Sequence, residues 1–291
     1  THPQVARRVT GPIVICDHDR VQLRVDGGRT PDRGGGELER GEGAAPDGPI
    51  RARYDDARSP APSRAELDWY AARLPRDAGV VLDAMCGSGR LLVPLAALGI
   101  AIHGADASAA SLAVAQGRLD GAGLGATLYR QDATALNLPT RFAAAILDGG
   151  AFARITEPEA ALEALVRLRA HLVGPGTLLV DARAPSYTQM RPGAPLVEIA
   201  SVALPDGSQI RMRSETSVDA EARIAHTDAR YTHRRGPQPL GEEHLHRAHT
   251  WYDADDWCML LESAGFGAVA CERSPREPSE DETSFAVTAR A

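Results

Sequence analysis

Three aspartates close three short apolar runs. Asp83 ends Val80-Val81-Leu82, Asp106 ends Ile102-His103-Gly104-Ala105, and Asp132 follows Thr127-Leu128-Tyr129-Arg130-Gln131. Runs of this length read as strands, and a carboxylate at a strand's end stands at the edge where open α/β sheets bind ligands. After Asp83 come Ala84-Met85-Cys86-Gly87-Ser88-Gly89-Arg90. A glycine pair between a strand and a helix lets the backbone approach a ligand closely. A nicotinamide dinucleotide reader needs a further small residue three positions on, where Leu92 stands, and the Asp83 carboxylate repels a pyrophosphate. Asp83 suits a cation, so a ligand with an amino group and a sulfonium fits better. Asp106, 19 residues beyond Gly87, is spaced to accept from both hydroxyls of an unphosphorylated ribose.

The elements that must position these residues follow from periodicity. Strands are predicted over 78–84, 101–106, 126–131, 143–148 and 177–182, with helices over 91–98, 108–119 and 157–172 between them. This alternation gives right-handed crossovers and a doubly wound, mostly parallel α/β sheet. A helix from Ser63, whose Ser-Arg-Ala-Glu start resembles a capping box, precedes it. After Pro185 the period changes to two: 197–204, 209–216 and 223–233 alternate as an antiparallel meander inserted into the sheet domain. A helix over 253–264 and strands over 268–272 and 284–289 close the chain. The first fifty residues form an N-terminal extension, with two short strands at 12–16 and 21–25 and a Gly-rich loop at 27–48. Four segments are therefore expected: 1–50, the cofactor-binding domain 51–186, the insertion 187–250, and the closing elements 251–291.

Composition excludes several chemistries. Among 291 residues there is no lysine, so all 32 basic residues are arginine. A P-loop lysine, a kinase lysine and a lysine Schiff base are ruled out. The four cysteines, Cys16, Cys86, Cys258 and Cys271, form no Cys-x-x-Cys pair and suggest neither a disulfide framework nor a thiolate metal site. With 43% hydrophobic residues, a net charge of −7, no membrane-length apolar run and no secretory signal, a soluble cytoplasmic protein is expected.

Taken in order, Val81-Leu82-Asp83-Ala84-Met85-Cys86-Gly87-Ser88-Gly89-Arg90, His103-Gly104-Ala105-Asp106-Ala107-Ser108 and Gln131-Asp132-Ala133 resemble the class I S-adenosylmethionine-dependent methyltransferases. The stretch from Ala151 to Leu179 is similar to the family's fourth crossover, with Gly174-Pro175-Gly176 as a permuted form of its turn. The resemblance spans about residues 50 to 291. It implies a seven-stranded sheet and S-adenosyl-L-methionine as cofactor. Asp83, with Ala84 beside it, would face the methionine amino group, Gly87 and Gly89 would give that moiety room, and Asp106 would hold the ribose. Asp132 and the Ala133 amide would read the adenine, Ala107 and Leu147 would supply apolar contact, and Tyr54 would close over the methionine end.

For the acceptor, the residue types leave more open. Direct displacement needs an aligned nucleophile and exclusion of water more than it needs a base. Asp148, at the end of the fourth strand, Tyr187, just past the fifth, and His246 are the catalytic candidates. Period-two spacing puts His244 and His246 on one face. A metal reading of His244-x-His246-x-x-His249 competes with partnering by Glu242 and Glu243, and no metal is expected. The arginines of the meander, from Arg211 to Arg235, could receive an anionic acceptor or form a solvated face. A small-molecule acceptor is expected, with no nucleic-acid or membrane partner; a homo-oligomer is possible. The meander is expected to form a lid over the acceptor side. The alternatives are a nicotinamide-dependent oxidoreductase of related fold and a catalytically silent binding protein.

Overall fold

The computed structural model of the protein describes residues 14–15, 48–59, 61–76, 79–185, 195–276 and 282–291. The expected strand at 21–25, the Gly-rich loop at 27–48 except its last residue, and Tyr187 lie outside the described residues.

Strands β2 (Val81–Ala84), β3 (Ile102–Asp106), β4 (Thr127–Arg130), β5 (Phe142–Asp148) and β6 (Leu172–Pro185) pair in parallel in the order β6-β5-β2-β3-β4. Strands β11 (Gly267–Arg273) and β12 (Glu282–Arg290) complete seven, with β12 antiparallel to β6 and β11 antiparallel to β12. An eighth, the two-residue β1 (Val14–Ile15), pairs with the edge of β11 and falls within the strand expected at 12–16. The chain leaves β2 toward β3 and β4, then crosses to β5 on β2's other side. That reversal opens a crevice at the carboxyl edge between β2 and β5.

Successive residues of the central strands feed opposite faces. Leu82, Ala145, Leu147, Leu178 and Val180 join the core under α6 (Pro158–Ala170) and α7 (Ala254–Ser263). Val81, Ile102, Ala144, Ile146 and Leu179 join the core under α2 (Arg64–Arg73), α3 (Leu92–Ala97) and α4 (Ala109–Ala122). Fully buried side chains such as Leu82, Leu92, Leu165 and Trp257 contribute about 1.5–3 kcal/mol each. Ser63 caps α2 by accepting from the Glu66 amide, but the reciprocal half of the expected capping box is replaced: the Glu66 carboxylate bonds Arg90 and Arg276. The Gly174-Pro175-Gly176 segment, expected as a turn, belongs to the start of β6, where pairing with β5 shifts register between Phe142 and Ala144.

The insertion is a four-stranded antiparallel sheet, β7 (Leu196–Ala203), β8 (Gln209–Asp219), β9 (Ile224–Arg235) and β10 (Gln238–Thr250), each strand pairing with the next. Its last strand is longer than the histidine-bearing segment suggested. On one face, Ile210, Met212, Ala229, Tyr231 and Leu245 pack with Tyr54 of α1 (Pro49–Arg58). Arg211, Arg213, Asp228, Arg230, His244 and His246 alternate with these and are exposed on the other. Helix α1 is tied to the insertion at its start, where the Glu243 carboxylate accepts from the Ile50 and Arg51 amides. The Thr250 amide donates to the Ala153 carbonyl and fixes the end of β10 to the sheet domain.

Candidate active site

A cavity of about 550 Å³ lies between the carboxyl edge of the main sheet, α1 and the packed face of the insertion. Its floor begins with Asp83, which is 4% exposed at the end of β2. Burial pushes this carboxyl up to about 8; Asp148 and Asp106 add repulsion, while Arg90 opposes them. Arg90 is itself committed to Glu66 through two hydrogen bonds. Met85, which lines the cavity next to Asp83, takes a left-handed backbone at φ 56°, a strain of about 1–3 kcal/mol for a residue with a side chain.

Asp106 is 5% exposed and holds the glycine loop in place: one oxygen accepts from the Gly87 amide at 2.9 Å and the other from the Ser108 amide at 2.8 Å. Gly87 needs its positive φ of 56° and leaves open space on the cavity wall. Gly89 differs. A Cβ there would meet Val93 at 3.2 Å and Ala115 at 3.3 Å, so its bareness serves helix packing. A neighbouring crevice of about 380 Å³ is lined by Asp106, Ala107, Asp132 and Ala133, with Met85 shared between the two spaces. Asp132 accepts from the Thr134 amide and hydroxyl through one oxygen, Oδ1. Leu147 and Ala84, both buried, border a small apolar recess with Met85 and Ala133.

The structure therefore brings together Tyr54, Asp83, Gly87, Asp106 and Asp148 around one cavity, and Ala107, Asp132 and Ala133 around the adjoining crevice. Tyr54 is 3% exposed, packs edge-on to Tyr231 at 5.2 Å, and its hydroxyl accepts from Arg58 at 3.2 Å.

Two acceptor-side candidates, Asp148 and His246, have charged partners of their own. Asp148 accepts from the Gly150 amide and faces Arg183 at 3.5 Å and Arg276 at 3.3 Å. Burial works to raise its pKa, but Arg183, Arg276 and Arg90 outweigh it and hold the carboxyl below its usual range, which makes it a weak base. His246 lies on the exposed face of β10, bonded to Asp228 at 2.9 Å and stacked on His226. Its spacing partner His244 does share that face, as do Arg211, Arg213 and Arg230; the face is opposite to the packed side, and at its margin His246 also borders the 380 Å³ crevice.

The residues that β10 gives to the cavity are Arg247 and His249, of the opposite parity. His249 is half-buried, and burial, then Arg247 and His226, lower its pKa to about 4, so it is neutral at pH 7. The signal that could have found this pair is Leu245, whose apolar side chain marks odd-numbered positions of β10 as the packed face. Arg51, Arg154, Arg183 and Arg276 also reach the cavity and were not singled out from the sequence, since no local pattern marks them. Among the described residues, no three His, Cys, Asp or Glu side chains converge to hold a metal ion.

Residues 81–173 match a family model described as a methyltransferase domain. No curated protein matches the sequence. Solved structures do resemble the fold. A S-adenosylmethionine-dependent methyltransferase from Clostridium acetobutylicum ATCC 824 has a TM-score of 0.65 at 16% identity, over 81% of this chain and 95% of the other. The sugar N-methyltransferase KedS8 from Streptoalloteichus sp ATCC 53650 gives 0.64 at 17%, over 89% and 99%. CalS10, an amino pentose methyltransferase from Micromonospora echinaspora whose structure has SAM bound, gives 0.61 at 20%, over 86% and 100%. Residues 81–173 are thus similar to a methyltransferase domain, and the fold around them is the one seen in S-adenosylmethionine-dependent methyltransferases. No described helix is long and apolar enough to cross a membrane.

Proposed function

We propose that the chain transfers a methyl group from S-adenosylmethionine to a small-molecule acceptor by direct displacement, in the cavity beneath the inserted sheet. The observation that carries this reading is Asp83, a buried carboxyl pushed up to about 8 beside an open cavity. Such a group gains most from a cation that enters with the ligand, and the cofactor's ammonium fits it. When bound, S-adenosylmethionine supplies an electrophilic methyl on a sulfonium.

The chain's own residues do the positioning. Each oxygen of Asp106 has a lone pair left after its amide bond, suited to the two ribose hydroxyls. Asp132 keeps Oδ2 for the adenine amino group, and Leu147, Ala84 and Ala107 offer apolar contact. Tyr54 and Tyr231 join α1 to the inserted sheet as a roof that excludes water. On the acceptor side, His249 is neutral and can accept a hydrogen bond that orients the nucleophile, its lowered basicity suiting it to orientation more than to proton removal, and Asp148, held by arginines, shapes the wall.

Calorimetry with S-adenosylhomocysteine, S-adenosylmethionine and NAD tests the cofactor half. Binding of both sulfur nucleosides and not of NAD is expected; NAD binding alone would overturn the reading. Transfer of an isotope-labelled methyl to an acceptor panel tests the rest.

A further inference from the structure

Resting on that reading, we infer that the acceptor carries an anionic group, a carboxylate or a phosphate, received by Arg51, Arg154 and Arg247. These three guanidiniums line both the 550 Å³ cavity and the adjoining crevice. They come from three separate elements: Arg51 from α1, Arg154 from the turn after β5, and Arg247 from the packed face of β10. Arg51 is 5% exposed and bonded to Asp55 at 2.8 Å. Arg154 donates to the Ala151 carbonyl. Arg247 makes no ion pair among the described residues.

Their charges act on one another. Burial is the first cause of Arg51's lowered pKa, and although Asp55 offsets it, Arg247 and Arg154 both push it further down. Arg247 does the same to His249. Like charges gathered in a half-buried wall repel, and an anion placed among them removes that repulsion while gaining charge-assisted hydrogen bonds.

Of the carboxylates lining the cavity, Asp55 pairs with Arg51, and the others face groups outside the three arginines. Asp148 faces Arg183 and Arg276, Glu198 holds Arg58 at 2.8 Å, and Asp106 is bonded to two backbone amides. The cation that acts on Asp83 is Arg90. Arg247, moreover, belongs to the inserted sheet, whose strands pair only with one another among the described residues.

The test uses the full chain saturated with S-adenosylhomocysteine and titrated calorimetrically with pyrophosphate in one arm and benzoate in the other. Binding in the first arm marks a phosphate acceptor, and in the second a carboxylate. Arg247→Gln is expected to weaken the bound anion at least tenfold and to leave the S-adenosylhomocysteine Kd within threefold. Arg213→Gln, on the exposed face, is expected to leave both unchanged. The inference is overturned if neither anion binds, if the two variants weaken anion binding equally, or if Arg247→Gln weakens the nucleoside in parallel, since the arginines then hold the cofactor. Failure of the wild-type chain to bind S-adenosylhomocysteine counts against the methyl-transfer reading instead. The same Arg247 comparison on the free protein then decides the anion site.

Discussion

The floor and the roof of the cavity are built on opposite plans. The floor is made of carboxylates at strand ends, each fixed by amides of its own loop or the next one: Asp106 by Gly87 and Ser108, Asp132 by Thr134, Asp148 by Gly150. The roof is made of a methionine, tyrosines, arginine and histidine, oriented by packing between β8, β9, β10 and α1, more than a hundred residues away in the chain. A floor fixed by short-range hydrogen bonds suits a ligand whose groups do not vary. A roof fixed by long-range packing can differ in its side chains without disturbing that floor.

The largest effect is expected where the floor meets a cation. Asp83→Ala should weaken S-adenosylhomocysteine by about a hundredfold or more, because the ligand's ammonium is then left buried without its partner. A change under threefold, measured by calorimetry, would move the ammonium elsewhere and erase the contrast between floor and roof. Asp106→Ala comes next. Losing bonds to two ribose hydroxyls costs about 1.5–3 kcal/mol, roughly ten- to a hundredfold in Kd.

The charge state of Asp83 sharpens the contrast further. With a pKa of about 8, the carboxyl is mostly protonated at pH 7, and pairing with an ammonium must release that proton. Affinity for S-adenosylhomocysteine should therefore rise with pH by up to about tenfold per unit and level off above pH 8; Asp83→Asn should lack this slope. Stability of the free protein should run the other way. A carboxyl raised in the folded state keeps its proton where the unfolded chain has lost it, so stability falls as pH rises from about 4 to about 8. His249, lowered to about 4, acts oppositely only below its unfolded value near 6.5, so melting curves between pH 6.5 and 8, wild type against Asp83→Asn, isolate the carboxyl.

Smaller effects belong to the roof. Met212→Ala, on the packed face, should raise the acceptor KM about three- to tenfold and leave the cofactor Kd within about threefold. His246→Ala and Arg213→Ala, on the exposed face, should stay within about twofold on both. Steady-state kinetics showing Met212→Ala and His246→Ala to be equally harmful would mean that both faces of the insertion meet ligand.

The floor was readable because its information is local. A strand's apolar run, its terminal aspartate and the glycine turn after it lie within about ten consecutive residues, so Asp83, Gly87 and Asp106 could be singled out from spacing and composition alone, and the structure puts all three around one cavity. The same local periodicity marked the main-sheet strands and the alternation of Ile210 and Met212 against Arg211 and Arg213. Period two divides a strand into two faces, but it does not say which face is packed. For β10 that choice fell to tertiary packing against α1, which turned Arg247 and His249 toward the larger cavity and left His246 on the opposite face, at the margin of the crevice. Charge pairing was equally out of reach. Arg276 meets Glu66 across 210 residues and Asp148 across 128, and together with Arg183 it lowers the pKa of Asp148 against the pull of burial, which its strand-end position alone did not indicate. Sequence carries the periods that make elements and the short motifs at their ends; burial and electrostatics depend on what the fold brings alongside, and so were decided by the tertiary structure.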